Sequence, residues 1–183
     1  MSTPIYFTHG KLLAKSGNIK VYLFNDLLYL EEGPGHTLWT IESEIEEYEQ
    51  QIANYPKGNC LEIGLGLGVA SRYILSCKGV KSLTTVELLE DVIKVQKQVN
   101  FINDPRHSII CMNGWEHIIS TDKKYDFVFM DHYHFADEEG LPLIKKYVEM
   151  CKKRVLKKGG KIVVWQDIYM PEEFIESFHK LFK

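Results

Sequence analysis

From residue 59 onward, short apolar runs alternate with stretches whose apolar side chains recur every three or four positions. The runs fall at 60–63, 82–86, 108–112, 126–130 and 161–165. The periodic stretches begin near Val69 and cover 91–100, a short piece after Asn113, and 138–153; a last one starts near Pro171, a good first-turn residue. Runs about five residues long suit strands, and the three-and-four spacing suits helices with one apolar face. Strands that are apolar almost throughout must be covered on both faces, so the pattern predicts a doubly wound α/β domain built on a parallel sheet.

The first third of the chain reads differently. Residues 1–18 show little pattern, whereas 19–24 and 27–30 are rich in β-formers around Asn25-Asp26, which predicts a hairpin. Gly33-Pro34-Gly35 breaks the chain, so residues 1–36 read as a hairpin appendage and 37–183 as the main domain. Leu38, Ile41, Ile45, Tyr48, Ile52 and Tyr55 form one apolar stripe, predicting an amphipathic helix that ends at 56–58. Its other face carries Glu42, Glu44, Glu46, Glu47 and Glu49. Such a run reads as a solvated face; the alternative is that its leading edge, Trp39 or Glu42, closes over a ligand.

Composition narrows the class. A chain of 183 residues supports one full core. A net charge of −3 with mixed signs lacks the basic excess of a nucleic-acid binder, so no nucleic-acid partner is expected. The one basic cluster, Lys152, Lys153, Arg154, Lys157 and Lys158, sits where a helix end favours cations. Cys60, Cys77, Cys111 and Cys151 form no C-x-x-C pair, which points to reduced thiols and no structural zinc. No signal peptide and no run of 18 apolar residues is visible, so a cytoplasmic protein with no membrane partner is expected.

Open parallel sheets bind ligands beyond the carboxyl ends of their strands, where this sequence concentrates its polar residues. The first strand runs through Gly64, Gly66 and Gly68 into a helix, a loop that brings N–H groups up to a ligand. A dinucleotide loop spaces its third glycine one residue later, and Glu62 would repel a diphosphate while attracting a sulfonium or ammonium. Glu87 ends the second strand 25 positions after Glu62, where a carboxylate can accept both hydroxyls of a ribose. Asn113 and Trp115 offer an amide and an aromatic face to a purine, or Trp115 simply packs. Asp131, His132 and His134 follow the fourth strand as candidates to orient an acceptor and take its proton. Gln166 and Asp167 end the fifth.

These stretches, in this order, resemble the class I S-adenosylmethionine-dependent methyltransferases, a Rossmann-like fold: LEIGLGLG resembles the first motif, TTVELLEDVI the second, CMNGW the adenine motif, YDFVFMD the fourth strand and LKKGGKIVVW the fifth. The resemblance implies S-adenosylmethionine as cofactor. Glu62, Gly64, Gly66 and Gly68 would lie at its methionine end, Glu87 with Leu88 at the ribose, Asn113, Gly114 and Trp115 at the adenine, and Asp131 beside the reacting group. The implied activity is methyl transfer to a small polar acceptor, an amine, guanidine or hydroxyl.

Relatives within that resemblance differ over the acceptor. VFMDHYH is similar to metal-dependent catechol-type O-methyltransferases, which would make Asp131 and Asp167 magnesium ligands. Ile168 stands where their next ligand is an Asn, so no metal is expected. NGWEHI is similar to guanidinoacetate-type N-methyltransferases, which would pair Asp131 with an upstream acid, Glu42 by spacing. The hairpin, the Glu-rich helix and VELLEDVI are similar to spermidine-synthase-type aminopropyltransferases, which use decarboxylated S-adenosylmethionine. The loop lacks their internal acid, and HYHF does not match their catalytic stretch. A non-catalytic adenosylmethionine-binding protein is the third reading. Only 16 residues follow Asp167, so the usual C-terminal antiparallel hairpin is expected to be missing, and a homo-oligomer could cover the exposed edge.

Overall fold

The computed structural model describes residues 10–33, 37–131 and 140–165, the side chains of 37–39 excepted. His132, His134, Gln166, Asp167, Ile168, the side chain of Trp39, the turn at Pro34-Gly35, the helix expected near Pro171 and the expected lack of a C-terminal hairpin lie outside the described residues.

Among the described residues there are two sheets. β1 (Lys11–Ser16), β2 (Ile19–Phe24), β3 (Leu27–Glu32) and β4 (Thr37–Ile41) form an antiparallel sheet in chain order. The expected hairpin is its centre: Phe24 pairs with Leu27, and Asn25 and Asp26 both have positive φ, as a two-residue turn of the favoured twist requires. The outer strands were hidden for physical reasons. In β1 only Ala14 is buried, so no alternation marks it. In β4, Leu38 and Ile41 happen to continue the stripe of the following helix. Pairing with β3 makes 37–41 a strand, and a short 3-10 turn, Glu42–Glu44, leads into α1 (Ile45–Ile52), so that helix is much shorter than the stripe suggested.

The second sheet holds β5 (Gly58–Ile63), β6 (Val80–Glu87), β7 (His107–Cys111), β8 (Tyr125–Met130) and β9 (Leu156–Val164). All five are parallel, in the order β7-β6-β5-β8-β9. The helices between them are α2 (Val69–Ser76), α3 (Glu90–Val99), α4 (Gly114–Ser120) and α5 (Gly140–Arg154). β9 starts earlier than expected: Leu156 pairs with Tyr125, the chain bulges through Gly159-Gly160, and Lys161 pairs with Phe127.

Alternation along the strands sorts the core into two halves. Cys60, Leu83, Phe127 and Phe129 face α1, α2, α3 and the antiparallel sheet, which contributes Ala14, Ile19, Val21 and Leu30. Leu61, Val86, Val128 and Met130 face α4 and α5 through Ile118, Ile144, Val148 and Cys151. The antiparallel sheet is tied to α3 by the Ser16 hydroxyl, which donates to Asp91 Oδ1 at 2.5 Å. Strand order reverses between β5 and β8, so the ends of those two strands form the crevice that open α/β sheets use for ligands. Among the described residues no helix is long and apolar enough to cross a membrane.

Candidate active site

The glycine loop takes the shape the sequence asks for. Gly64, Gly66 and Gly68 all have positive φ (93°, 51° and 88°), and α2 begins at Val69. A Cβ on Gly68 would lie 2.5 Å from Ile102 Cδ1, whereas one on Gly66 would meet only Thr40 Cγ2 at 3.5 Å. The end of β4 therefore lies against the middle of the loop. Gly114 is needed for another reason: its Cβ would fall 2.6 Å from Ile63 Cγ2.

Glu62 lies beneath the loop and is fully buried; Oε2 lies within hydrogen-bond distance of the hydroxyls of both Ser71 and Thr85. Burial, above all, pushes its carboxyl up to about 8, and Asp131 and Glu87 add to the rise. Glu87 is also largely buried, at the end of β6, with Oε2 accepting from Leu65 N–H at 2.9 Å and Oε1 from Leu89 N–H at 2.8 Å. It thus joins the glycine loop to the turn before α3. Each oxygen retains a lone pair for a ligand hydroxyl. Leu88, next to it, is 60% exposed and free to contact a flat ring.

Asn113 caps α4, its Oδ1 accepting from Trp115 N–H at 2.8 Å. Trp115 packs on Tyr147 with the Lys146 ammonium over its ring, so much of its aromatic face is already engaged. Asp131 sits where β8 leaves the sheet, its N–H bonded to Ile63 C=O at 2.8 Å. That bond sets it beside the glycine loop.

Two contributors were not visible in the sequence. The Tyr48 hydroxyl donates to Asp131 Oδ2 at 2.7 Å. Glu44, one helical turn before Tyr48, is half-buried, accepts from the Thr40 hydroxyl at 3.3 Å and is raised to about 7, chiefly by burial and in part by the Asp131 charge. Glu42, expected to partner Asp131, is instead engaged by the Arg72 guanidinium at 2.9 Å and by Leu28 N–H. A polar tyrosine within an aliphatic stripe, with an acid four residues before it, was the available signal. Among the described residues no cation offsets Asp131: burial first, then the Glu87 charge, raise it to about 6, and only Tyr48 lowers it. No group of three His, Cys, Asp or Glu among the described residues could hold a metal ion.

A glycine loop, an acid on the next strand and an acid at the switch point stand on a doubly wound α/β fold of the class I methyltransferase type. Within it, the spermine/spermidine synthase domain model matches residues 50–183, and the chain belongs to that family. A polyamine aminopropyltransferase of Prochlorococcus marinus subsp. pastoris is 27% identical over 168 residues, 79% of this chain and 58% of that protein. Another, from Methanocaldococcus jannaschii, is 29% identical over 124 residues, 62% of this chain and 41% of that protein. The chain thus spans well under two thirds of these relatives. The spermidine synthase of Thermotoga maritima superposes with a TM-score of 0.67 at 18% identity, covering 93% of this chain and 61% of the other. A spermidine synthase in complex with the transition-state analogue AdoDATO superposes with a TM-score of 0.65 at 19% identity, covering 84% and 57%.

This family membership overturns the expectation of a methyltransferase acting on an amine, guanidine or hydroxyl. The physical reason is that methyl and aminopropyl donors share their adenosine and sulfonium. A glycine loop and strand-end acids of the kind that suit those parts read alike in both classes. The loop without an internal acid and the HYHF stretch, which had counted against aminopropyltransferases, both fall inside the matched residues.

Proposed function

We propose that the protein transfers the aminopropyl group of decarboxylated S-adenosylmethionine to a small diamine or polyamine. The observation that carries this reading is the acidity of the crevice, which no cation offsets at Asp131 among the described residues. Glu44, Glu87 and Asp131 gather around the glycine loop with Glu62 below it, and each of Glu44, Glu62 and Asp131 is pushed up by burial and by another of these acids. A donor carrying a sulfonium and a primary ammonium relieves that repulsion, as does a polyamine acceptor. Adenosylmethionine itself would add a further carboxylate. The relatives' names as polyamine aminopropyltransferases support the same choice.

In this reading Gly64, Gly66 and Gly68 admit the sulfonium end of the donor, Glu87 receives the ribose hydroxyls, and Asn113, Gly114 and Trp115 border the adenine. Asp131, oriented by Tyr48, holds the acceptor amine and Glu44 a second ammonium of the same molecule. The amine nitrogen forms a bond to the methylene carbon next to sulfur as the carbon–sulfur bond breaks. The electron pair leaves on sulfur, giving neutral methylthioadenosine, and the nitrogen gives its surplus proton to a base. Asp131, raised towards neutrality, is suited to receive it.

The test is incubation of the purified chain with decarboxylated S-adenosylmethionine and a panel of diamines and polyamines, following methylthioadenosine. Formation of S-adenosylhomocysteine from S-adenosylmethionine, or donor binding without turnover with any amine, would sink the reading. Asp131→Ala should abolish turnover and spare donor affinity, and Glu87→Ala should weaken donor binding.

A further inference from the structure

Beneath the glycine loop a line of polar side chains crosses otherwise apolar interior. Glu62 and Thr85 are register partners on β5 and β6, so their side chains stand on one face of the sheet. Thr85 Oγ1 lies 2.5 Å from Glu62 Oε2 on one side and 2.8 Å from His107 Nε2 on the other. Ser71 of α2 bonds to the same Glu62 oxygen, and Oε1 is buried with no hydrogen-bond partner among the described residues. His107 opens β7, the edge strand, and is half-buried. The line therefore runs unbroken from the sheet's edge to the floor of the loop. Leu83, Phe127, Phe129 and Ile74 belong to the core on this face, where a carboxylate is costly to keep charged.

We propose that Glu62, Thr85 and His107 form a proton path through which Glu62 gives up a proton when a cationic donor occupies the glycine loop and regains it when the neutral thioether leaves. The identity of the donor rests on the aminopropyl-transfer reading; the path itself does not. In the protonated arrangement Glu62 donates to Thr85, Thr85 donates to His107 Nε2, and Nδ1 carries the ring proton. On ionisation the Glu62 proton passes to Thr85, the Thr85 proton passes to Nε2, and Nδ1 releases its proton to water. One proton leaves, and the ring ends neutral in its other tautomer.

The surroundings set the direction. Facing Glu62 are Ser71 from α2 and Thr85 from β6, which favour its charge, and Glu87 at the end of β6 and Asp131 at the end of β8, which oppose it. Cys60 on its own strand and Tyr48 on α1 are pushed up by it. Burial holds the carboxyl at about 8 and lowers His107, so at neutral pH the empty site keeps the proton on Glu62 and not on the ring. A sulfonium above the loop reverses the electrostatic balance and favours the carboxylate.

The first test needs no ligand. In the full chain labelled with 15N-histidine, and with His107 assigned by its loss in His107→Gln, the Nε2 resonance should move from acceptor to donor position as pH rises through about 8. Glu62→Gln and the size-matched Thr85→Val should each remove that step. An Nε2 titration that is the same in wild type and both variants overturns the path. The second test is calorimetry near pH 7 in buffers of different ionisation heat. Binding of decarboxylated S-adenosylmethionine should release up to about one proton more from wild type than from Glu62→Gln. Methylthioadenosine should show no such difference. Equal release from wild type and Glu62→Gln also overturns the proposal. If wild type binds neither compound, the donor reading has failed, and the resonance titration still decides the path.

Discussion

The Tyr48 hydroxyl donates to Asp131 Oδ2 at 2.7 Å, joining α1 to the end of β8 across 83 positions of chain. The ring cannot swing away, because it packs edge-on to Phe129 with centroids 5.9 Å apart and against Trp165 at 4.2 Å. A core tyrosine thus aims its one polar atom at the acid of the crevice.

Removing that atom should affect acceptor chemistry and leave donor binding alone. A hydrogen bond to a charged group contributes about 1.5–3 kcal/mol, so Tyr48→Phe is expected to lower kcat/KM for the amine roughly 10- to 100-fold. Steady-state methylthioadenosine release, with donor affinity measured in parallel, checks this; an equal loss in donor affinity would refute a role of the hydroxyl confined to the acceptor.

Glu44 and Glu42 are two residues apart yet face different partners. Glu44→Gln should raise KM for polyamines several-fold, because Glu44 adds to the field at Asp131. Glu42→Gln removes a partly exposed pair with Arg72 and should cost at most about 1 kcal/mol of stability with little change in KM. The same KM shift in both variants would refute the assignment to Glu44.

Thermal stability should fall as pH rises from about 6.5 to 8. Glu62 and Glu44 have folded values near 8 and 7, above the ordinary 4.5, so the unfolded chain releases their protons first. Their contribution is complete below the unfolded value and is lost as pH climbs through the folded one. Glu62 alone gives a slope of up to about 1.4 kcal/mol per pH unit. His107 and His117, both lowered in the fold from the ordinary 6.5, hold more protons in the unfolded chain near pH 6.5 and oppose the fall there, an opposition that fades as pH rises past about 7.5, and Asp104 and Asp126, also lowered, are ionised in both states. Melting curves of wild type should therefore slope downwards, and those of Glu62→Gln should be flatter.

Two glycines of the loop should respond differently to alanine. Gly66→Ala faces only the left-handed backbone penalty of about 1–2 kcal/mol, since its Cβ meets ordinary contact. Gly68→Ala carries the same penalty and a 2.5 Å approach to Ile102, so its melting temperature should drop further. Ile102→Ala, which removes packing of its own, should cost less stability in the Gly68→Ala chain than in wild type.

The main domain was readable because its signals are local. Cys60-Leu61 and 126–130 are apolar runs, Gly68 marks the start of α2, and Glu87 ends the strand after it; each is marked by its own residues and by its place in the chain order. What could not be read depends on distant pairing. β1 offers one buried residue, and β4 borrows the helix's spacing and is a strand only because β3 lies beside it. The Tyr48–Asp131 bond and the Glu62–Thr85–His107 line exist because non-adjacent segments meet. The methyltransferase reading failed for a chemical reason: residues chosen to suit a sulfonium would not record which of its three substituents departs.

Glu87 brings a consequence of a different kind. A free glutamate side chain on a surface samples many rotamers, and fixing one costs up to about 1.5–2 kcal/mol of entropy. Here the amides of Leu65 and Leu89 have already immobilised both oxygens. A diol docking on Glu87 therefore meets an acceptor that the fold has stilled in advance, and the ordering cost falls on folding, not on each encounter with the ligand.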